Sequence, residues 1–122
     1  MLTTVRWENA TLLCRLDTGA GRTQVYEPFY HRFKPLVDAG TQPAMRRMGG
    51  ACGVSERSVR VFPELPLALG DTMISAKQVD VVTQRLVPNE EDTHLDGNVG
   101  RDVLGAFSQA VLNLRDMALI LR

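Results

Sequence analysis

The chain has 122 residues, 44% of them apolar, enough to bury a sizeable core and few enough to predict one domain spanning 1–122. Its 14 Lys and Arg balance 14 Asp and Glu with no long run of either sign, which argues against nucleic-acid binding through a basic face. Apolar runs are only a few residues long, far below the ~20 that cross a bilayer, and residues 1–7 have neither a basic start nor an apolar stretch. No membrane span or secretory signal is expected, which leaves the cytoplasm as the default location.

Short apolar runs between turn signals, with little sustained 3.6-residue periodicity, predict an all-β fold. Residues 5–7 and 11–16 read as strands around an Asn9 turn. Alternation in the second places Leu12, Cys14 and Leu16 on one face and Leu13, Arg15 and Asp17 on the other, so an acid sits where the strand runs out. Residues 22–45 read as loops and short edge strands, because Pro28, Pro35 and Pro43 interrupt any long element. Two arms joined by Gly49, Gly50, Ala51, Cys52 and Gly53 predict a β-hairpin over about 45–62. Residues 65–69, a Gly70-Asp71 turn, 73–74 and 79–83 continue the strand pattern, and 88–94 are polar enough for a solvated loop. A short helix is expected over 102–109, where Val103, Leu104 and Phe107 share a face. Strands follow at 110–114 and 117–121 around Arg115-Asp116.

Asp17, Thr18, Gly19 and Ala20 follow the apolar run 12–16. With average residue usage an Asp-Thr-Gly arises by chance in a chain this long about once in 40 cases, so the tripeptide alone also fits an ordinary strand-ending turn. Its context adds weight. Asn98, Val99, Gly100, Arg101, Asp102, Val103 and Leu104 form a second motif near the other end, with the glycine-rich hairpin between the two.

Taken in order, these three parts resemble the retropepsin-like aspartic proteases of retroviruses and bacteria, over residues from about 5 to 121. Residues 22–45 match no motif, and the polar Asn98 fits the bacterial branch. The resemblance implies a closed barrel or sandwich of short strands with one short C-terminal helix, Asp17 as catalytic acid, and the 49–53 hairpin as a flap that closes over substrate. It further implies that the Thr18 hydroxyl ties two active-site loops together across a dimer, and that Gly19 lets backbone amides approach the carboxylates. Gly100, Arg101 and Asp102 form the structural second motif, with Arg101 an ion-pair partner near the active-site loop. The acid often found just after the first motif is missing, because Gly21 and Arg22 stand there. Asp102 also reads as a helix N-terminal acid favoured by the macrodipole.

Aspartic protease chemistry needs two carboxylates close enough to share a proton, one acting as base toward a water and the other as acid. Only one Asp-Thr-Gly is present. The simplest completion is a homodimer in which Asp17 meets its symmetry mate, with 117–121 as an edge along which subunits pair. Asp96 is the rival partner within the chain, and it equally reads as a turn acid.

The expected partners are therefore a second copy of the chain and a peptide or protein substrate, without nucleic acid, membrane, metal or cofactor. A different class of function is a catalytically inactive retropepsin-fold module for dimerisation or peptide binding. A carrier or nucleic-acid module of unrelated fold is a third. Cys14 and Cys52 match neither a disulfide framework nor a metal-ligand spacing, and His31 and His94 lack ligand-spaced partners. Trp7, Phe29 and Tyr30 suit a specificity pocket or, more ordinarily, a core.

Overall fold

The computed structural model describes residues 1–50, 53–84 and 94–122, with side chains omitted at 48–50 and 53–55. Strand β1 (Leu2–Trp7) and strand β2 (Ala10–Leu16) form a hairpin in which Trp7 faces Ala10 across a two-residue turn, with Glu8 at φ 54°. The expected alternation appears: Leu12, Cys14 and Leu16 are buried with Val5 and Trp7, whereas Leu13 is exposed and Arg15 and Asp17 are half-buried. Fully burying a side chain of this size contributes about 1.5–3 kcal/mol, so a one-residue slip of β2 would forfeit several such terms together.

After the two-residue strand β3 (Gln24–Val25) the chain forms helices α1 (Glu27–Arg32) and α2 (Lys34–Gly40), where loops and edge strands were expected. The prolines open these helices and do not interrupt them. Pro28 and Pro35 each occupy a first helical turn, where the missing N–H has no intrahelical acceptor to lose and the fixed φ suits the helix. The helices bury Phe29 and Val37 completely. Phe29 lies 5.0 Å from Trp7, 5.0 Å from Phe33 and 6.4 Å from Phe62 between ring centroids, so these aromatics form core.

Strands β4 (Gln42–Gly50) and β5 (Gly53–Leu69) make a hairpin longer than the expected 45–62. Pro63 and Pro66 remain inside β5 because they lie beyond its pairing with β4, where one edge is free of that neighbour. Gly70, at φ 58°, turns the chain into β6 (Thr72–Val81), a single strand that joins the segments read separately at 73–74 and 79–83 and ends two residues short of the end of the second. The polar loop at 88–94 lies outside the described residues except for the exposed His94.

Strand β7 (Gly97–Val99) inserts between β2 and β3, parallel to the first and antiparallel to the second. Helix α3 (Arg101–Leu104) follows and is shorter than the predicted 102–109. Past Leu104 the chain tightens into i→i+3 bonds from Ala106 to Val103 and from Phe107 to Leu104. Among the described residues, strands β8 (Ala110–Asn113) and β9 (Ala118–Leu121) pair only with each other.

Strand order is β1-β2-β7-β3-β6-β5-β4, and Arg6 on β1 pairs Ala68 on β5. Six strands thus close into a barrel, with β4 outside the ring. Inside lie Val5, Leu12, Val25, Leu65, Leu67, Val79, Val81, Val99 and Val103. No described helix is long and apolar enough to cross a membrane.

Candidate active site

Parallel pairing of β2 with β7 sets Leu16 beside Val99, so the ends of the two sequence motifs meet. The Asp17 amide donates to the Val99 carbonyl at 3.0 Å, which fixes the acid where β2 leaves the barrel. Gly19 donates its amide to Asp17 Oδ1 at 2.9 Å, and Ala20 donates to the Asp17 carbonyl at 3.2 Å. These bonds close a tight turn around a half-buried carboxylate. Thr18 is exposed, and its hydroxyl makes no hydrogen bond to the described residues.

A buried threonine ties this turn to the second motif. The Thr23 amide lies 3.0 Å from both carboxylate oxygens of Asp102, and its hydroxyl donates to Asp102 Oδ1 at 2.7 Å. The same hydroxyl accepts the Gly100 amide at 3.0 Å, while Asp102 also accepts the Val103 amide at 2.9 Å. Asp102 is thus both the first-turn acid of α3 and a clamp on the loop that follows Asp17. At Gly100 a side chain is impossible without movement, since a Cβ there would lie 2.7 Å from the Arg22 carbonyl oxygen.

Thr23 went unnoticed in the sequence, where nothing marks it. The available signal was an Asp102 in need of donors beyond its own helix. Arg101 donates its amide to the Ala20 carbonyl at 2.9 Å and is exposed. Its Nη2 lies 3.7 Å from the point a Cβ on Gly21 would occupy, and it makes no ion pair among the described residues. The absent acid at Gly21 therefore leaves the guanidinium beside empty space.

Asp96 is committed elsewhere. It is buried, accepts the Leu13 amide at 2.9 Å and binds the Arg32 guanidinium at 3.0 Å. Its own amide donates to the Leu13 carbonyl. Asp96 therefore sits level with Leu13 on β2, about 13 Å from Asp17 at ~3.3 Å per residue, too far to share its proton. Cys14, one position along, is a free buried thiol whose pKa is pushed up to about 12, first by burial and second by the charge of Asp96. A thiol so raised is a poor nucleophile. Cys52 and Ala51 lie outside the described residues. Of the expected flap glycines, Gly49 pairs with Val54, and Gly50 with Gly53.

Arg46 on β4 grips Asp80 on β6, with Nε at 3.0 Å and Nη2 at 3.1 Å from the two carboxylate oxygens. Asp80 is level with Val61, and Val61 with Gln42. In a flat sheet Arg46 would therefore be two strands and four residues from Asp80, about 16 Å, beyond the reach of these side chains. The arm carrying Arg46 must curl out of the sheet and over the face that carries Asp80.

This chain has the retropepsin-like fold: a closed, mainly β barrel with an acid-bearing turn beside β7 and a long hairpin. The crystal structure of the retroviral protease-like domain of Ddi1 from Leishmania major is similar to it, with a TM-score of 0.59 over 98% of this chain and 83% of that one. The two share 15% sequence identity, so the likeness establishes the fold alone. No protein-family model matches the chain, and no curated protein matches it.

Proposed function

We propose that the chain is a single aspartic endopeptidase domain that acts as a homodimer, with one Asp17 from each copy forming the catalytic pair. The observation that carries this reading is the union of the two motifs at Asp17. Its amide is held by Val99, its carboxylate by Gly19, and its loop by Thr23 bound to Asp102 and Gly100. A carboxylate on so constrained a turn is preorganised, as an acid or base acting on water requires.

Two such carboxylates face to face cannot both ionise easily, so the pair holds one proton between them. The ionised member takes a proton from a water as that water attacks the scissile carbonyl. The protonated member donates to the developing oxyanion, and no acyl-enzyme forms. An extended peptide would lie between the Asp17 pair and the overhanging hairpins, its backbone bonded as an added strand. The exposed Thr18 hydroxyl is free to bond the partner's loop.

The C-terminal hairpin supports assembly. Val111, Leu112, Leu114, Met117 and Ile120 are exposed on it, an apolar surface of a kind that marks association. Leu119 and Leu121 pack instead toward the barrel and line a groove of about 450 Å³ with residues 1–4 and 69–72. A second copy would cover this surface.

The test is casein degradation across acid to neutral pH by the wild-type chain and by Asp17→Asn, with and without a pepstatin-type inhibitor. Cleavage that is inhibited and is lost in Asp17→Asn, with an unchanged circular dichroism spectrum, supports the reading. Cleavage retained in Asp17→Asn overturns it.

A further inference from the structure

Asp80 projects from the outer face of β6, because Val79 and Val81 on either side of it point into the core. Only 9% of it is exposed, with the Arg46 guanidinium closed onto its carboxylate through Nε and Nη2. Among the described residues this is the one ion pair that fastens β4 to β6.

Arg57 stands directly opposite Arg46 in the hairpin. Directly paired residues project from the same face, so two guanidinium groups share the underside of the arm. Asp80 serves one of them. Arg57 Nε is covered and has no hydrogen-bond partner among the described residues. Laying the arm down thus strips water from a charged donor and sets like charges side by side, and both effects cost free energy. The two-pronged, charge-assisted bond from Arg46 to Asp80 opposes them. Lifting the arm reverses all three effects together and leaves the pairing of β4 with β5 inside the hairpin untouched.

We propose that the hairpin is an electrostatic strap with two opposed controls on one cross-strand pair: Arg46, caught by Asp80, holds it down, and the unpaired Arg57 favours its release. The proposed function enters only through what the strap guards, since a peptide would reach the face beneath when the strap lifts. The opposition is the distinctive part. Two arginines that merely shaped the hairpin would not move it in opposite directions when replaced.

The arm's position is read as the distance between nitroxide labels on Met45→Cys and Met73→Cys, two exposed positions on β4 and β6, by pulsed electron resonance. A Cys52→Ser background is used, with Cys14 buried away from the label. The arm continues past the end of β6 opposite Met73, so lifting it lengthens this distance. Asp80→Asn and Arg46→Met are each expected to raise the ratio of long to short distances by roughly tenfold or more, as loss of a charge-assisted bond implies. Arg57→Met lowers that ratio, and added to Asp80→Asn it shifts the population back toward the short distance. Circular dichroism identifies the folded variants, and Arg46→Met, at a half-buried position, reads the catch even where Asp80→Asn fails to fold. Distances unmoved by folded Arg46→Met, or lengthened by Arg57→Met, overturn the strap. Cleavage by the wild-type chain is scored separately, so a strap that moves as stated in a protein that cleaves nothing refutes the protease reading alone.

Discussion

Thr23 gives both its amide and its hydroxyl to Asp102, 79 residues further along the chain, at 3.0 and 2.7 Å. That pair locks the turn after Asp17 to the start of α3. Hydrogen bonds to a charged acceptor are worth about 1.5–3 kcal/mol each, more when loss leaves a buried donor unpaired. Asp102→Ala is therefore expected to lower the unfolding free energy by about 2–4 kcal/mol in urea denaturation. Thr23→Val, which also strands the Gly100 amide, is expected to lose a similar amount. A loss below about 0.5 kcal/mol in both would show that the clamp carries no weight.

Asp96 and Asp17 should respond in opposite ways to replacement. Asp96→Ala removes the acceptor of the Leu13 amide and the partner of Arg32, so its melting temperature should fall by an amount corresponding to about 2–3 kcal/mol. Asp17→Asn keeps the turn's shape at a half-buried position and should stay within about 0.5 kcal/mol of wild type. Thermal denaturation of the two variants side by side decides it, and a large loss in Asp17→Asn would recast that residue as structural.

Burial raises the Cys14 thiol from 9.0 to about 12, which links stability to alkaline pH. Below pH 9 the thiol is protonated in both folded and unfolded chains and contributes no pH dependence. Between pH 9 and 12 the unfolded chain ionises first, so stability falls as pH rises. In a Cys52→Ser background, urea midpoints measured from pH 8 to 11 should decline more steeply than in Cys14→Ala/Cys52→Ser. A thiol reagent at pH 8 should label Cys14 only after denaturation.

Much of the barrel was legible because burial on β2 follows the alternation of Leu12, Cys14 and Leu16 directly. The same pattern located Asp17 at a strand's end. Helices α1 and α2 were not legible, since a proline reads alike whether it breaks an element or opens one. The difference lay in Phe29, whose burial against Trp7 and Phe62 is a tertiary fact, and in Val37, buried in the same core. Thr23 was invisible because its partner is remote in sequence. The bond from Arg46 to Asp80 was equally hidden, since it exists only once the arm has curled over β6.

The central claim is that Asp17 is half of a site, and mixing wild-type with Asp17→Asn chains tests it most directly. The two are unfolded together, refolded at equal amounts and fixed total concentration, and assayed for peptide cleavage. If each site needs an Asp17 from both copies, random pairing leaves activity at about a quarter of the all-wild-type value. Activity at about half, falling in proportion to the wild-type fraction, would mean that each chain works alone and would contradict the account.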